Sequence, residues 1–518
     1  MSRTLVQQFV AGLKSRNPDV RTKTARDLHH YVRTELREVT VEEVTAFTDA
    51  FNHHIFEMVS SNDVNEKKSG IIAIVCLLHV DVGNVNSRNI RFANYLRNLL
   101  PSNDIGVMRY AAKTVGKLAQ ISDTFSPEYA VFEMRKAIEW LGGDRVEGKR
   151  HAAVLVLKEL AVTVPTIFYQ HVQSFFDFVF SAVRDPKPDI RQHAVKAIRA
   201  ALVVTAQRES AKQSQKPQWY RLCFEEAMSG FEEGFPREKG VNREDRVHGS
   251  LLVLNELLRV SNVQWERTYE DLMTRLQVNT CDDSEDSLGM IAKSRQQVMG
   301  MGYKVGRAGS ASMSLASLAE MSKTPGGSCA DPCITLYESA ACRALITEKF
   351  EEVANTVLAQ RVARPANIQQ TLLTILPRLA AFNKDKFVQS HLNPSMVHLL
   401  TTLRGRDKDR PTAFTTIGLI AVAVGDSILP YLPKIFDLIK TSLPSKDSSL
   451  KKRSAAGFDP SIFMCVTLLG HAVTAKIKPD VRELLEPMLA TGLSPALTIT
   501  LRELASSVPQ LKRYISEG

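Results

Sequence analysis

The chain has 518 residues and a formal net charge of +10, with 44% hydrophobic and 24% charged residues. That length exceeds what one hydrophobic core normally serves, so the chain consists of several domains or of a stack of repeated units. The longest apolar runs, such as Ile71–Leu78, are far shorter than the roughly 20 residues that cross a bilayer, and the N-terminus lacks the pattern of a secretory signal. No transmembrane segment is therefore expected.

The cysteines and the distribution of charge indicate the compartment of the protein and the kinds of ligand that it can bind. The seven cysteines are scattered and form no Cys-x-x-Cys motif, which predicts a reduced, intracellular protein. Cys329 and Cys333 lie four residues apart without a second pair of ligands, so no metal site is predicted. Basic residues alternate with acids, as in Arg404–Arg410, which indicates solvated helix ends and loops; an anionic membrane surface or an acidic partner is the main competing interpretation.

From Leu5 to Val260 nearly every segment has the three-and-four spacing of apolar residues that is typical of amphipathic helices. Within these helices a motif recurs: an aliphatic residue, a basic residue, two spacers and a small residue. The basic position of the motif falls at Arg21, Lys67, Met108 (where the basic residue is lost), Lys149, Arg191, Arg246 and Arg410. The first four steps are 46, 41, 41 and 42 residues, which is the period of a two-helix HEAT unit. We predict an all-α HEAT-repeat α-solenoid, a right-handed superhelix of antiparallel helix pairs.

The motif suggests how the units contact one another. The basic residue can form an ion pair with an acid in a neighbouring unit, and the small residue allows paired helices to approach closely. The small residues are Thr24, Gly70, Ala111, Ala152, Ala194 and Gly249.

The composition changes abruptly between residues 281 and 335, where Gly, Ser, Met and Lys are mixed, as in Gly300–Ser310. Such a segment buries too little apolar surface to offset its conformational entropy, so a long disordered insertion is predicted. The predicted domains are an N-terminal solenoid at 1–280, the insertion at 281–335 and a continuation of the solenoid at 336–518. A second, shorter loop is predicted at about 444–458.

Catalytic motifs are missing from the sequence. The run Gly300-x-Gly302-x-x-x-Gly306 lacks both the preceding strand and the Gly-Lys-Ser/Thr end of a phosphate loop. Neither His-Arg-Asp nor Asp-Phe-Gly, the catalytic and magnesium-binding triplets of protein kinases, occurs. The residues alone predict a binding protein that is not an enzyme and has no catalytic, cofactor-binding or metal-binding residues.

Several stretches closely resemble the N-terminal HEAT region of the target-of-rapamycin kinases, members of the PIKK family. Among them are Arg91–Asp104, Arg150–Leu157, Leu376–Phe382 and Glu483–Leu497. The resemblance covers, in order, nearly everything outside Cys281–Pro332. It implies that the chain is a fragment or a truncated isoform of a large serine/threonine kinase, and that ATP and magnesium bind only in a kinase domain that this chain lacks.

The resemblance also implies partners and a location. It implies docking of Raptor-like and Rictor-like subunits (the complexes TORC1 and TORC2), a dimer within the full complex, and contact with a Rheb-type GTPase. It implies no nucleic acid, and a cytoplasmic protein that is recruited to the lysosomal surface and has the nucleus as a second location. The alternative, from the residues alone, is a stand-alone HEAT adaptor that binds a protein, RNA or transport cargo.

One loop is a candidate for the GTPase contact. Val82–Ile90 interrupts a unit and is expected to project from the edge of the solenoid beside the helix end that carries two adjacent histidines. An uncommitted surface loop is an equally good interpretation. The candidate partner-binding residues are His53, His54, Asn84, Asn86, Arg88, Asn89 and Arg91.

The repeat predicts that Ala194 lies where helices touch. Replacing it with leucine should overpack the helix contact and lower the free energy of unfolding by about 1 to 3 kcal/mol. Thermal unfolding of the Ala194→Leu variant tests this expectation, and an unchanged melting curve would mean that the repeat register is wrong.

Overall fold

The structure, a computed structural model, describes residues 2–121, 126–209, 218–234, 241–276, 339–405, 408–443, 459–492 and 494–512. These residues fall into two compact units, one that ends at Val179 and one that begins at Phe180. Throughout the described ranges the chain forms helices and turns and no β-strand, which confirms the predicted all-α class. The predicted boundaries at 280 and 335, the disordered insertion and the loop at 444–458 lie outside the described residues.

The first unit consists of helix pairs. Its helices are α1 (Ser2–Leu13), α2 (Pro18–Arg33), α3 (Val41–Ser60), α4 (Val64–Leu77), α5 (Val85–Leu99), α6 (Ile105–Ile121), α7 (Ser126–Leu141), α8 (Glu147–Thr163) and α9 (Pro165–Gln170). Each first helix packs against the second helix of its pair, and α2, α4, α6 and α8 stack in a row. Helix α4 is buried without interruption from Ser69 to Leu77. Stacking is what buries these faces, because an isolated amphipathic pair leaves one side exposed.

The second unit repeats this arrangement; α10 (Val172–Val183) spans the boundary between the units. The further helices are α11 (Pro188–Glu209), α12 (Gln218–Ser229), α13 (Arg243–Ser261), α14 (Val263–Arg275), α15 (Ala340–Ala359), α16 (Ala366–Phe382), α17 (Leu392–Arg404), α18 (Arg410–Val424), α19 (Leu432–Ser442), α20 (Ser461–Val473), α21 (Lys478–Leu489) and α22 (Pro495–Ser507). Here α11, α13, α16, α18, α20 and α22 form the row of second helices.

Helix α14 departs from the repeat. Its residues Trp265, Leu272 and Met273 form a buried cluster with Leu419 of α18 and Leu468 of α20, so it covers the row of second helices instead of extending it. An ion network holds its first turn: Glu266, which is 2% exposed, accepts from Arg378 Nε at 2.7 Å and Arg378 Nη2 at 2.9 Å. Arg259 Nε lies 3.3 Å from the same carboxylate. A bidentate pair of this kind fixes orientation as well as position.

An arginine near the start of several second helices reaches back to the turn between the helices of its pair. Nη1 of Arg21 donates to the carbonyl oxygens of Ser15 and Arg16 at 2.8 and 3.0 Å. Arg150 and Arg191 make the same two contacts, with the carbonyls six and five residues before them, at distances between 2.6 and 3.2 Å. The carbonyls at the end of a helix have no partner within the helix, so this contact satisfies them.

This geometry corrects the predicted register by one residue. In the pair formed by α7 and α8 the arginine that contacts the turn is Arg150, whereas Lys149 pairs with Asp144 at 3.1 Å. Shifting the three positions before Arg191 by one gives Lys68, Arg109 and Arg150, and these three and the unshifted Arg191 are each 41 residues from the next. In this spacing a basic residue, Arg109, stands directly after Met108, where the unshifted register has none.

Small side chains lie at the helix contacts, as predicted. Ala152 and Ala194 are fully buried. A Cβ atom at Gly70 would come within 2.8 Å of the Val59 side chain, and one at Gly249 within 1.9 Å of the Val183 carbonyl oxygen. The backbone at Gly249 therefore leaves no room for a side chain.

Arg191 organises a buried network in the second unit. Its Nη1 lies 2.7 Å from Asp245 Oδ1, and its Nε donates to His248 Nδ1 at 2.9 Å. Because Nδ1 accepts, Nε2 of the neutral imidazole carries the proton and donates to Thr371 Oγ1 at 3.1 Å. Burial, and then the charge of Arg191, lower the pKa of His248 to about 4. The network thus connects α11, α13 and α16 and requires a neutral His248.

One described segment, Arg410–Ser442, is long and apolar enough to cross a membrane by length and composition alone. It is not one straight helix, because a 3-10 turn at Gly425–Tyr431 separates α18 from α19. Ala413, Ile417 and Ile420 of α18 are fully buried. We interpret the segment as a core helix and its continuation, because a buried core helix can be as apolar as a membrane-spanning one.

Lowering the pH should weaken the fold through His248. Its pKa is about 4 in the folded chain and 6.5 when unperturbed, so the unfolded chain binds the extra proton first. Stability is fully present above pH 6.5 and falls as the pH drops towards 4, by at most about 1.4 kcal/mol per pH unit for this one proton.

The His248→Asn variant keeps an acceptor for Arg191 and removes the titration. Urea unfolding between pH 4 and 7 should show a shallower loss of stability than in the parent chain. Some slope should persist, because the pKa of His79 is also lowered to about 4. Identical slopes in the two proteins would contradict the assignment.

Candidate partner-binding surface

The segment that was predicted to be a projecting loop is largely helical. Helix α5 begins at Val85, and the Asn84 side chain caps it by accepting from Ser87 N at 3.2 Å. Only the turn before it is irregular, and Gly83 there adopts a positive φ of 77°, a conformation that glycine permits. The prediction of a loop from Val82 to Ile90 is therefore wrong beyond Asn84, because the asparagine supplies a good N-cap.

Two predicted contact residues lie inside the protein. Arg88 is 4% exposed and Asn89 1% exposed. Arg88 donates to the carbonyl oxygen of Val82 at 3.3 Å and to that of Val80, and burial lowers its pKa. It thus holds the turn before α5, much as Arg21 holds the turn before α2. This burial corrects the prediction that Arg88 and Asn89 contact a partner.

The other predicted residues are accessible and lie on the neighbouring first helices α3 and α5 or at the N-terminal cap of α5. Asn84 and Asn86 are exposed, and the Arg91 side chain, 45% exposed, lies 3.9 Å from Asp49 of α3. His53, whose side chain is 73% exposed, follows Asp49 by one helical turn. We call His53, Asn84, Asn86 and Arg91 the edge surface.

His54 belongs to a neighbouring cluster of charged and polar side chains centred on Glu57. Its Nδ1 lies 3.2 Å from Glu57, which also lies 3.3 Å from His53 Nε2 and 3.4 Å from Lys14 Nζ. The hydrogen bond with His54 is the main reason that the pKa of Glu57 is lowered. His54 is less exposed than His53, at 29%. Glu57 thus links both histidines to Lys14, the residue that follows α1.

Exposed aromatic rings next to the edge surface were not predicted from the sequence. Phe56, 51% exposed, lies 5.6 Å from the Tyr95 ring. Phe132, 50% exposed, lies beneath the guanidinium of Arg97 at 4.4 Å. Arg97 Nε in turn contacts the buried Glu133 at 2.7 Å, and burial raises the pKa of that carboxyl while Arg97 opposes the shift. We call Phe56, Tyr95, Arg97 and Phe132 the aromatic stripe.

The aromatic stripe has a signal in the sequence. Phe56, Tyr95 and Phe132 lie on the first helices of three successive pairs, α3, α5 and α7. Aromatic residues and arginine are enriched at protein–protein interfaces, and exposed apolar groups in one area commonly mark such a site. Comparing the outward positions of successive first helices would have found them.

No cofactor or metal chemistry is apparent at this surface. Among the described residues no group of three or more His, Cys, Asp or Glu side chains could hold a metal ion. Cys76, Cys223, Cys342 and Cys465 are buried free thiols, and burial raises the pKa of each. Such thiols are poor nucleophiles. Cys329 and Cys333 lie outside the described residues.

The different roles of Arg88 and Asn86 can be separated by mutation. Arg88→Ala should lower the free energy of unfolding by about 1 to 3 kcal/mol, because it leaves two turn carbonyls without their donor. Asn86→Ala, two residues earlier on the same helix, is the matched control and should change it by less than about 0.5 kcal/mol. Urea unfolding measures both, and equal effects would argue against a structural role for Arg88.

No protein-family model matches the chain, but individual proteins do. The serine/threonine-protein kinase mTor of Drosophila melanogaster is 45% identical over 99% of this chain and 21% of its own length. The kinase tor1 of Schizosaccharomyces pombe is 29% identical over 98% of this chain and 18% of its length. TOR2 of Saccharomyces cerevisiae is 28% identical over 97% of this chain and 17% of its own length. The chain thus spans about a fifth of the length of these relatives.

Among solved structures, the karyopherin Kap121p bound to the SUMO protease Ulp1p aligns with 99% of this chain and 46% of its own, at 14% identity and a TM-score of 0.47. The helical-repeat assignment rests on the helix packing described above and not on this likeness. The kinases are the informative relatives, because they are 28% to 45% identical to this chain along almost its whole length. The chain is therefore related, over nearly its full length, to one segment of the target-of-rapamycin serine/threonine protein kinases.

Proposed function

We propose that the chain is a docking segment of a target-of-rapamycin kinase in growth signalling, and that it acts by binding and not by catalysis. The observation that carries the proposal is the 45% identity to the fly kinase across 99% of the chain. The described residues form stacked helix pairs, an architecture that presents extended surfaces to partners. In this proposal the chain docks Raptor-type and Rictor-type subunits within a dimeric complex.

The edge surface and the aromatic stripe are the proposed contact area for a Rheb-type GTPase. Three features support this choice: exposed polar side chains at His53, Asn86 and Arg91, exposed rings at Phe56 and Phe132, and a rigid base formed by the buried Arg88 and Asn89. Exposed rings surrounded by polar groups are typical of protein interfaces. A cytoplasmic location with recruitment to the lysosomal surface accompanies the proposal, and the nucleus is a second location.

The contact area is testable in the complete 518-residue chain. The double variant His53→Ala/Arg91→Ala should weaken binding of a GTP-loaded Rheb-type GTPase by about fivefold or more, because it removes two exposed side chains from one patch. The matched control is Lys384→Ala/Lys386→Ala, which removes two exposed basic side chains elsewhere. Biolayer interferometry with the immobilised chain measures both; equal affinities for the two variants would refute this contact area.

The docking function itself needs a separate measurement. A Raptor-type subunit and a structured RNA should be compared as partners at 50 and 200 mM salt. Retention of the Raptor-type subunit at both salt concentrations supports the docking segment. Selective capture of RNA, with an affinity that falls steeply as salt increases, would favour the alternative of a stand-alone adaptor, because phosphate contacts release counterions.

A further inference from the structure

A cluster of basic side chains lies at the ends of three second helices of the first unit. Arg33 is the last residue of α2, Arg37 lies in the 3-10 turn that follows it, His79 comes just after α4, and Lys117 lies in the last turns of α6. The rings of His29 and His79 meet edge to face at 5.6 Å. We call these five residues the basic cluster.

Helix packing brings the cluster together, because α2, α4 and α6 stack side by side and the His29 ring contacts the His79 ring. The pKa of His79 is lowered to about 4, first by burial and then by the nearby basic groups Arg33, His29, Lys117 and Arg37. Lys117 and Arg33 also act on the thiol of the buried Cys76. Charges from α2, its following turn and α6 therefore converge on one point beside α4.

Several cations of the first unit have acidic partners, whereas two members of the cluster have none in the part of the chain that the structure describes. Lys14 pairs with Glu57, Arg97 with Glu133 and Lys149 with Asp144. Among the described residues, no carboxylate lies within ion-pairing distance of the Arg37 or Lys117 side chain. Glu35 and Glu38 flank Arg37 and are exposed, and neither pairs with it.

The partial negative charge at a helix C-terminus can stabilise only some of the basic residues in the cluster. That charge amounts to about half an elementary unit and acts within the last turn of its own helix. Arg37 lies beyond the end of α2. His79 is only partly buried and Arg37 is exposed, so a ligand can reach the positive charge from solvent.

We propose that the basic cluster binds a phosphate group, with Arg33, Arg37 and Lys117 as donors and His79 at its centre. A dianionic group matches the excess of positive charge, and the guanidinium fork of arginine suits phosphate oxygens. The phosphate belongs either to a small polyphosphate or to a phosphorylated side chain of a protein. This site is separate from the edge surface and does not depend on the proposed function.

The test uses the full 518-residue chain and two probes, sodium tripolyphosphate and a phosphoserine peptide, followed by calorimetric titration at 50 mM salt. The variant Arg37→Gln/Lys117→Gln removes two charges that make no ion pair. Arg16→Gln/Lys23→Gln removes two exposed charges from the same unit and is matched in net charge. Affinity for the bound probe should fall by about tenfold or more in the first variant and less than about twofold in the second.

A second readout distinguishes a site from general charge attraction. In the chain labelled with carbon-13 histidine, the His79 resonance should titrate at a higher pH when the probe is bound, because the anion stabilises the imidazolium. The probe that binds identifies the source of the phosphate. Absence of saturable binding of both probes, equal losses in the two variants, or an unchanged His79 titration would overturn the proposal.

Discussion

A contact between an arginine and the turn that precedes its helix recurs in three of the helix pairs and organises the turn in each of them. Arg21, Arg150 and Arg191 each donate from one nitrogen to two successive carbonyl oxygens. A tight turn between antiparallel helices leaves such carbonyls without intrahelical partners. The guanidinium satisfies them and fixes the angle at which the second helix leaves the turn. Stacking of the second helices then follows, because their exposed apolar faces are presented at a regular spacing.

The same chemistry explains why part of the candidate surface is rigid. Arg88, which is buried, makes a similar contact with the turn before α5, the helix that carries Asn86 and Arg91. A partner would then contact side chains on fixed helices, which loses less conformational entropy on binding than a mobile loop. The surface and the fold are thus connected through one buried side chain.

Charge is used differently in different parts of the chain. Around α14 the carboxylates of Glu256 and Glu266 are buried against Arg199 and Arg378, where bidentate pairing offsets the cost of desolvation. At the basic cluster beside His79 the positive charges converge without ion-paired carboxylates on Arg37 and Lys117. The paired buried charges orient helices, whereas the unpaired charges are the ones that we propose bind a phosphate group. The net charge of +10 alone does not distinguish these roles, because it does not specify which cations have partners.

The sequence by itself determined the helical class, the period of about 41 residues and the small residues at helix contacts. Each of these features follows from the spacing of apolar and small side chains along the chain. It did not determine the register to one residue, since basic residues are adjacent at Lys67–Lys68 and Lys149–Arg150 and neighbouring helical positions point about 100° apart. For the same reason the sequence did not show that Arg88 and Asn89 are buried while Asn86, on the same helix, is exposed. Only the tertiary structure decided which basic residue contacts the turn, that α14 covers the row of second helices, and which aromatic rings stay exposed, because these depend on neighbours distant in the chain.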